Sequence, residues 1–202
     1  MSTGSVTATG AGTGIGTGTV PDRPLRADAR RNYEQIVAAA REALREHGAA
    51  ASLEDIARRA GVGIGTLYRR FPSRLALLEA VYREDVDGLR THTDELMQGE
   101  DAWAAVEAWV RHFLDYASTK RALFAELVDA IGRDSELLTY SRSIITGTAE
   151  QVLQRAREAG VVRADVEPAD LTRLIGGCSM MGPVEPGQAD RVVSIVLAGI
   201  RA

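Results

Sequence analysis

The sequence has few features of secreted or membrane-bound proteins. It contains one cysteine, Cys178, so no disulfide can form within the chain, which is usual in the cytosol. No apolar run reaches the roughly 18 residues that a membrane-spanning helix needs. The first residues carry neither the positive start nor the apolar segment of a secretion signal. We therefore expect a cytoplasmic protein.

Catalytic and metal-binding patterns are equally scarce. His47, His92 and His112 are too far apart in sequence to form an H-x-x-x-H metal pair, and a single cysteine excludes a C-x-x-C motif. The Gly-Cys-Ser stretch at 177–179 lacks the G-x-S-x-G nucleophile elbow. Cys178 is read either as a small core residue or as a reactive thiol, and its apolar helix favours the core. The sequence predicts no enzyme, no metal site and no cofactor.

Residues 1–22 are mainly glycine, threonine and serine, which bury little surface, so we expect a disordered tail. Its glycines alternate strictly and never form G-x-G-x-x-G, and no Gly-Lys-Ser/Thr follows them. A nucleotide-binding loop is therefore not predicted.

Charge is distributed unevenly along the 202 residues, whose net charge is −4 and whose hydrophobic content is 45%. Residues 22–74 contain 11 arginines and 7 acids, a net charge of +4, whereas residues 75–202 contain 13 basic residues and 21 acids, a net charge of −8. A positive head and an acidic body would orient the molecule on a phosphate backbone. The alternative is a solvated imbalance without function.

The stretch from Ser52 to Phe71, SLEDIARRAGVGIGTLYRRF, is typical of two short helices joined by a glycine turn. Ser52 and Asp55 form a Ser-x-x-acid capping box that predicts the start of the first helix. Gly61 stands where a helix ends on a left-handed residue, and Val62 is the apolar wedge of the turn. The stretch predicts a helix-turn-helix unit.

The second of these helices should run from Ile64 to Phe71. Leu67 and Phe71, four residues apart, can dock on the first helix, which leaves the polar residues of the segment on the outer surface. Such side chains suit phosphates and base edges, and Gly63 and Gly65 leave backbone amides bare near the helix start. We therefore expect this helix to bind DNA.

The longer segment SLEDIARRAGVGIGTLYRRFPSRLALLEAVY resembles the DNA-binding domain of tetracycline-repressor (TetR) type transcriptional regulators. The resemblance covers about residues 30–82. Two departures are that Gly63-Ile64 stands where many members have Ser-Lys, and that Arg74 stands where many have Lys. The residues that we expect to contact DNA are Ser52, Gly63, Ile64, Gly65, Thr66, Tyr68, Arg69, Arg70, Ser73 and Arg74.

Two helices should flank this unit. The first, about 29–46, packs behind it as a brace, and the basic stretch Arg23–Arg31 before it is either an arm that reaches DNA or a solubilising leader. After Pro72, Ser73 caps a helix that continues to about Thr93. By resemblance to the family, this last helix couples the DNA-binding domain to the rest of the protein.

The remaining chain shows only helical signals. We expect helices from Asp101 to about Ala117, from Arg121 to Ile131 and from Ser135 to Gly160, followed by one that starts near Pro168. A break at Gly182-Pro183 precedes a last helix over about 189–200, which is apolar on nearly all sides. The predicted fold class is all-α: a tail at 1–22, a three-helix helix-turn-helix DNA-binding domain at 23–73, and a helical-bundle ligand-binding and dimerisation domain at 74–202.

A terminal helix without a polar face needs cover on two sides. In the family, the last two long helices of each subunit form a four-helix dimer interface, and these segments are similar to them. We expect a homodimer, with burial inside one subunit as the alternative.

The body is also expected to hold an effector. Its aromatic residues are read either as plain core or as the wall of an apolar pocket, in which a few polar groups orient a small, partly apolar molecule. The candidate ligand-binding residues are Trp103, Trp109, His112, Phe113, Tyr116, Phe124, Tyr140, Cys178 and Met181.

These observations predict a TetR-like DNA-binding transcriptional regulator, a repressor released from a palindromic operator by a small-molecule ligand. The alternative is a helical small-molecule-binding or enzymatic protein whose N-terminal unit mediates protein contact. Activation in place of repression depends on promoter position, which the sequence does not contain.

Overall fold

The computed structural model describes residues 22–180, 185 and 187–202. These residues form helices and no strand, as the sequence predicted. The helices are α1 (Asp22–His47), α2 (Leu53–Arg59), α3 (Ile64–Arg70), α4 (Arg74–Leu96), α5 (Ala102–Ile131), α6 (Glu136–Glu158), α7 (Pro168–Met180) and α8 (Gln188–Ile200). None of them is both long and apolar enough to cross a membrane. Residues 1–21 of the predicted tail at 1–22, Met181 and the break at Gly182-Pro183 lie outside the described residues.

The helix-turn-helix unit has the predicted boundaries. The Ser52 hydroxyl accepts the Asp55 amide at 3.1 Å, which caps α2. At the other end, Gly61 has a φ of 67°, and the amides of Gly61 and Val62 donate to the carbonyls of Arg58 (3.2 Å) and Ala57 (3.0 Å). This pair of bonds is a Schellman motif, which requires the left-handed residue that glycine supplies.

The second half of the predicted capping box does not form. The Asp55 carboxylate accepts hydrogen bonds from Arg58 and, at 2.6 Å, from Arg59 Nε, and not from the backbone of Ser52. Arg59 also pairs with Glu46 of α1 at 2.7 Å. Its hydrogen bonds lower the pKa of both carboxyls. Asp55 therefore ties α2 to α1 through Arg59.

The predicted start of α1 was wrong, because the helix begins at Asp22 and not near residue 29. Proline is tolerated in the first turn of a helix, where its missing amide has no partner in any case, so Pro24 does not stop the helix. The stretch Arg23–Arg31 is consequently part of α1.

The predicted break within 117–121 is also wrong, because α5 is one helix of 30 residues. No glycine or proline interrupts it, and the Thr119 hydroxyl donates to the Asp115 carbonyl at 3.0 Å, inside the helix. The ends were predicted correctly: the Asp101 carboxylate accepts the Ala104 amide at 3.0 Å, and Gly132, at a φ of 77°, stops the helix.

The buried residues form two hydrophobic clusters. The first joins α1, α2 and α3 to α4 and also includes Leu123 and Leu127 of α5 and Leu137 and Leu138 of α6. The second lies between α5, α6, α7 and α8, around the fully buried Trp109, and includes Leu89 of α4. The core of the N-terminal unit thus continues into the body, and α4 belongs to both.

Ion pairs also connect the N-terminal unit to the body. The Asp85 carboxylate of α4 is only 7% exposed and lies 2.6 Å from Arg41 Nε of α1 and 2.7 Å from Lys120 Nζ of α5. One carboxylate therefore joins the N-terminal unit, the shared helix and the body.

We predict that Asp85→Asn lowers the free energy of unfolding by about 2 kcal/mol, because it removes the shared anion and leaves two partly buried cations without a partner. The measurement is urea denaturation followed by circular dichroism. The control is Asp134→Asn, a fully exposed carboxylate whose loss should change stability by less than about 0.5 kcal/mol. Equal midpoints for the two variants would show that Asp85 does not join the two parts.

Candidate nucleic-acid interface and ligand cavity

The outer face of α3 is uncovered. Leu67 is fully buried and anchors the helix, whereas Ile64 is 39% and Tyr68 45% exposed, and Arg69 and Arg70 are exposed as well. The Tyr68 ring offers an apolar surface with a hydroxyl, and the two arginines supply positive charge that binds phosphates. The face therefore has the chemistry of a binding surface.

The two glycines at the start of α3 are not required by packing. Gly63 is the N-cap in an extended conformation with no side-chain cap. A Cβ atom added at Gly63 or Gly65 would meet no atom within 4 Å. The backbone at this end of α3 thus remains open to an approaching molecule.

Arg69 and Arg70 have different surroundings. The Arg70 guanidinium stacks over the Tyr33 ring at 4.8 Å, and that ring packs on Phe71 at 5.6 Å between centroids. Arg69 forms no ion pair with any carboxylate in the described part of the chain. Arg69 is therefore the less restrained of the two cations.

The Arg74 side chain binds other parts of the protein. Its guanidinium donates to the carbonyls of Ala51 (2.5 Å) and Ala49 (3.1 Å), and its Nε lies 2.9 Å from Glu126 of α5. This placement does not favour a DNA contact by the Arg74 side chain, which the sequence predicted to be a DNA-binding residue. Ser73 caps α4 by accepting the Ala76 amide at 3.1 Å.

A cavity of about 290 Å³ lies among α4, α5, α6 and α7, near the lower end of the roughly 300–1,000 Å³ of small-molecule sites. Three of the predicted ligand-binding residues line it, namely Phe113, Tyr116 and Phe124. The Tyr116 hydroxyl is buried with no hydrogen-bond partner among the described residues. Burial raises the pKa of this phenol, so it remains a donor.

The other predicted ligand-binding residues with described side chains lie elsewhere. Trp109 is fully buried in the second cluster, and Trp103 is covered by the Arg201 guanidinium at 4.7 Å. Tyr140 donates to Asp87 at 2.5 Å, and Cys178 faces a surface groove between α7 and α8. Helical periodicity distinguishes the buried face of a helix from its exposed face, but residues of the filled core and of a cavity wall both lie on the buried face.

The prediction missed the cations of the cavity. Lys120, Arg121, Arg133 and Arg173 line it together with Tyr82 and Ser179. Charged residues on helices are usually solvated, and these come from separate parts of the sequence. The only unusual signal was that Lys120 is the sole lysine of the chain.

His112 lies outside the cavity and stacks on His92 of α4, with 4.2 Å between the ring centroids. Burial and, secondarily, the neighbouring imidazole lower the pKa of His112, and Asp115 opposes this shift weakly. Glu95 lies 3.9 Å from His92. Protonation of His112 is therefore disfavoured in the folded protein.

The fold and these surfaces define a helix-turn-helix protein with a helical body that contains a cavity. Residues 36–81 match the family of bacterial regulatory proteins described as tetR family. Residues 101–202 match the C-terminal domain family described as transcriptional regulator SbtR-like. The two matches place the DNA-binding unit and the body in one class of transcriptional regulator.

Solved structures agree with this assignment. The TetR transcriptional regulator SCO0520 from Streptomyces coelicolor is 36% identical, with a TM-score of 0.73 over 84% of this chain and 98% of that one. The TetR regulatory protein from Mycobacterium vanbaalenii is 32% identical, with a TM-score of 0.68 over 89% and 100%. The chain belongs to the TetR family and is a DNA-binding transcriptional regulator.

A curated relative is the HTH-type transcriptional regulator SAR0097 from Staphylococcus aureus, 32% identical over 108 residues. The match covers 52% of this chain and 56% of that protein's length. The comparisons do not favour the alternative of a helical binding or enzymatic protein whose N-terminal unit contacts proteins.

We predict that acidification destabilises the protein through His112. Because the folded state lowers the pKa of His112, the unfolded state takes up the proton first as the pH falls through about 6.5, and stability decreases. Thermal melts at about pH 7.5 and about pH 5.5 should show a smaller loss for His112→Gln than for the unmodified protein. His47→Gln, at an exposed position, is the control. An unchanged pH dependence in His112→Gln would contradict the assignment.

Proposed function

We propose that the chain acts in the cytoplasm as a homodimeric repressor that binds a palindromic operator through α3. We propose further that a small molecule in the cavity among α4, α5, α6 and α7 releases it. Repression relieved by a ligand is typical of the family. The observation that carries the proposal is the outer face of α3, which is polar, uncovered and next to an open glycine backbone.

The proposed DNA contacts follow from the exposure of that face. Tyr68 and Arg69 are exposed in the second half of α3, Thr66 lies nearer the helix start, and the bare backbone of Gly63 and Gly65 suits a close phosphate. Arginine reads guanine bidentately or binds phosphate, and register on the duplex decides which. Arg70, held over Tyr33, would contribute charge with less freedom.

The proposed dimer uses α7 and α8. Leu174 of α7 is 51% exposed and Ile195 of α8 is 72% exposed. Both line a shallow apolar groove together with Cys178, Val192 and Val196. Exposed apolar patches of this kind are typical of protein interfaces, and a symmetric dimer would bury the same patch on both subunits.

Dimerisation matters because helix-turn-helix dimers read two half-sites about 34–36 Å apart. A conformational change in the body that alters the distance between the DNA-binding units of the two subunits would lower operator affinity. The shared helix α4 supports such coupling, since Tyr82 of α4 lines the cavity and bonds Ser141 of α6 at 2.9 Å.

We predict that Tyr68→Ala and Arg69→Ala each weaken operator binding by about 10- to 100-fold, the cost of losing a base or charge contact. The operator is first selected from random DNA, and affinity is then measured by fluorescence anisotropy at several salt concentrations. Arg69→Ala should also reduce the salt slope by about one ion. The control is Arg142→Ala, an exposed arginine of the body.

Wild-type affinity in both α3 variants would refute this assignment of the recognition surface. Binding that does not weaken as salt rises would argue against a phosphate-dominated interface, and so against the proposed role of α3.

We predict that Ile195→Glu makes the protein monomeric at micromolar concentration, because the interface would bury a charge without a partner. Sedimentation velocity gives the oligomeric state. The control is Gln151→Glu, which places the same charge on an exposed position of α6. A dimer that persists in Ile195→Glu, or an unmodified protein that is already monomeric, would rule out this interface.

A further inference from the structure

The cavity combines apolar walls with an excess of positive charge. Aromatic rings of Tyr82, Phe113 and Phe124 form part of its wall, and four of its lining residues are cations. Among the described lining residues there is no carboxylate. The body that contains it is acidic, with a net charge of −8 over residues 75–202, so this local excess opposes the surrounding charge.

Most of these cations have no internal counter-ion. Arg121, Arg133 and Arg173 form no ion pair with a carboxylate in the parts of the chain that the structure describes. Lys120 is the exception, with Asp85 2.7 Å away. Arg133 and Arg173 are exposed and Arg121 is partly exposed, so an acidic group from outside can reach them. Arginine binds carboxylates and phosphates with paired hydrogen bonds.

We propose that the effector is an organic anion, whose acidic group binds among Lys120, Arg121, Arg133 and Arg173 while its apolar part packs on the aromatic wall. This inference rests on the proposed function of a ligand-released repressor and specifies the chemical class of its ligand. A neutral molecule of the same shape would leave the cations unpaired.

Lys120 connects this anion site to the DNA-binding unit. Lys120 is a lining residue of the cavity, and its ammonium pairs with Asp85, whose other oxygen lies 2.6 Å from Arg41 of α1. An anion in the cavity competes with Asp85 for Lys120. This competition weakens the ion pairs that connect α1, α4 and α5. Binding of a charged ligand can therefore change the position of the DNA-binding unit.

The test compares matched acids and amides by isothermal titration calorimetry on the full-length protein. The pairs are phenylbutyrate and phenylbutanamide, decanoate and decanamide, and naphthylacetate and naphthylacetamide. At least one carboxylate should bind about tenfold more tightly than its amide, the difference expected for one charge-assisted contact. If no carboxylate in the panel binds more tightly than its amide, the proposal is overturned.

The cations are then tested directly. Arg121→Gln combined with Arg173→Gln should abolish the preference for the acid and leave the affinity for the amide unchanged. Arg111→Gln, an exposed arginine of the same helix α5, should keep the preference. Arg173→Gln alone, at an exposed position, should reduce the preference even if the double variant folds poorly. A full preference retained in Arg173→Gln and in the folded double variant would overturn the site.

Operator anisotropy separates this proposal from the proposed function. A preferred carboxylate should lower operator affinity, and its amide at the same concentration should not. Tight carboxylate binding without operator release would support the anion site and contradict the ligand-released repressor. Operator binding that follows the α3 predictions, with no acid preference, would contradict the anion site alone.

Discussion

The pairing of one buried carboxylate with two cations links the DNA-binding unit to the body. Asp85 lies on α4, almost without exposure to water, and its two oxygens face Arg41 of α1 and Lys120 of α5. A charge in that position is stable only while it keeps its partners, because desolvation costs more than a surface ion pair returns. The geometry of three helices therefore depends on a contact whose strength falls off within a few ångströms. Arg74 reinforces the same boundary by joining the carbonyls that precede α2 to Glu126.

The sequence was sufficient for the helix-turn-helix unit because its determinants are local. A serine cap, a left-handed glycine and a buried leucine act within a few residues of one another, and the structure confirms each of them at Ser52, Gly61 and Leu67. Helix ends marked only by weak signals were less predictable. Pro24 lies in the first turn of α1, which starts at Asp22, and Ser118 and Thr119 lie within the unbroken helix α5. In both cases a residue that is common at helix ends is also compatible with the helix.

Long-range contacts could not be predicted in the same way. Arg74 was predicted to contact DNA from its place in a motif, but its guanidinium lies against backbone carbonyls more than 20 residues away in sequence. The ligand site shows the same limit. Periodicity identified apolar residues such as Trp109 without distinguishing a filled core from a cavity wall, and the cavity cations come from separate parts of the sequence. Only three-dimensional packing brings them together.

The arginines of this chain also show why net charge alone does not identify a DNA-binding surface. Arg41, Arg59 and Arg74 count toward the positive head, yet each is used within the protein, whereas Arg69 forms no ion pair in the described structure. Part of the positive charge counted for residues 22–74 is therefore used within the protein, and the exposed Arg69 of α3 belongs to the part that remains available to a DNA partner. The cavity shows the opposite case, since the acidic body contains four cavity cations, three of which form no ion pair among the described residues.

Under the proposed mechanism, Lys120 takes part both in the ion pairs between helices and in the binding of the anionic ligand. A ligand shifts a conformational equilibrium only by the difference between its affinities for the two states. An anion that draws Lys120 away from Asp85 binds the two states with different affinities. In the state that keeps the Lys120–Asp85 pair, the ammonium is shared with Asp85 and binds the ligand less strongly. Linkage is reciprocal, so the conformation that favours the operator, with the Asp85 pair intact, must hold the anion less tightly by the same factor. An ion pair at the boundary between the two domains is suited to this role because it is strong enough to hold α1, α4 and α5 together and sensitive to a single competing charge.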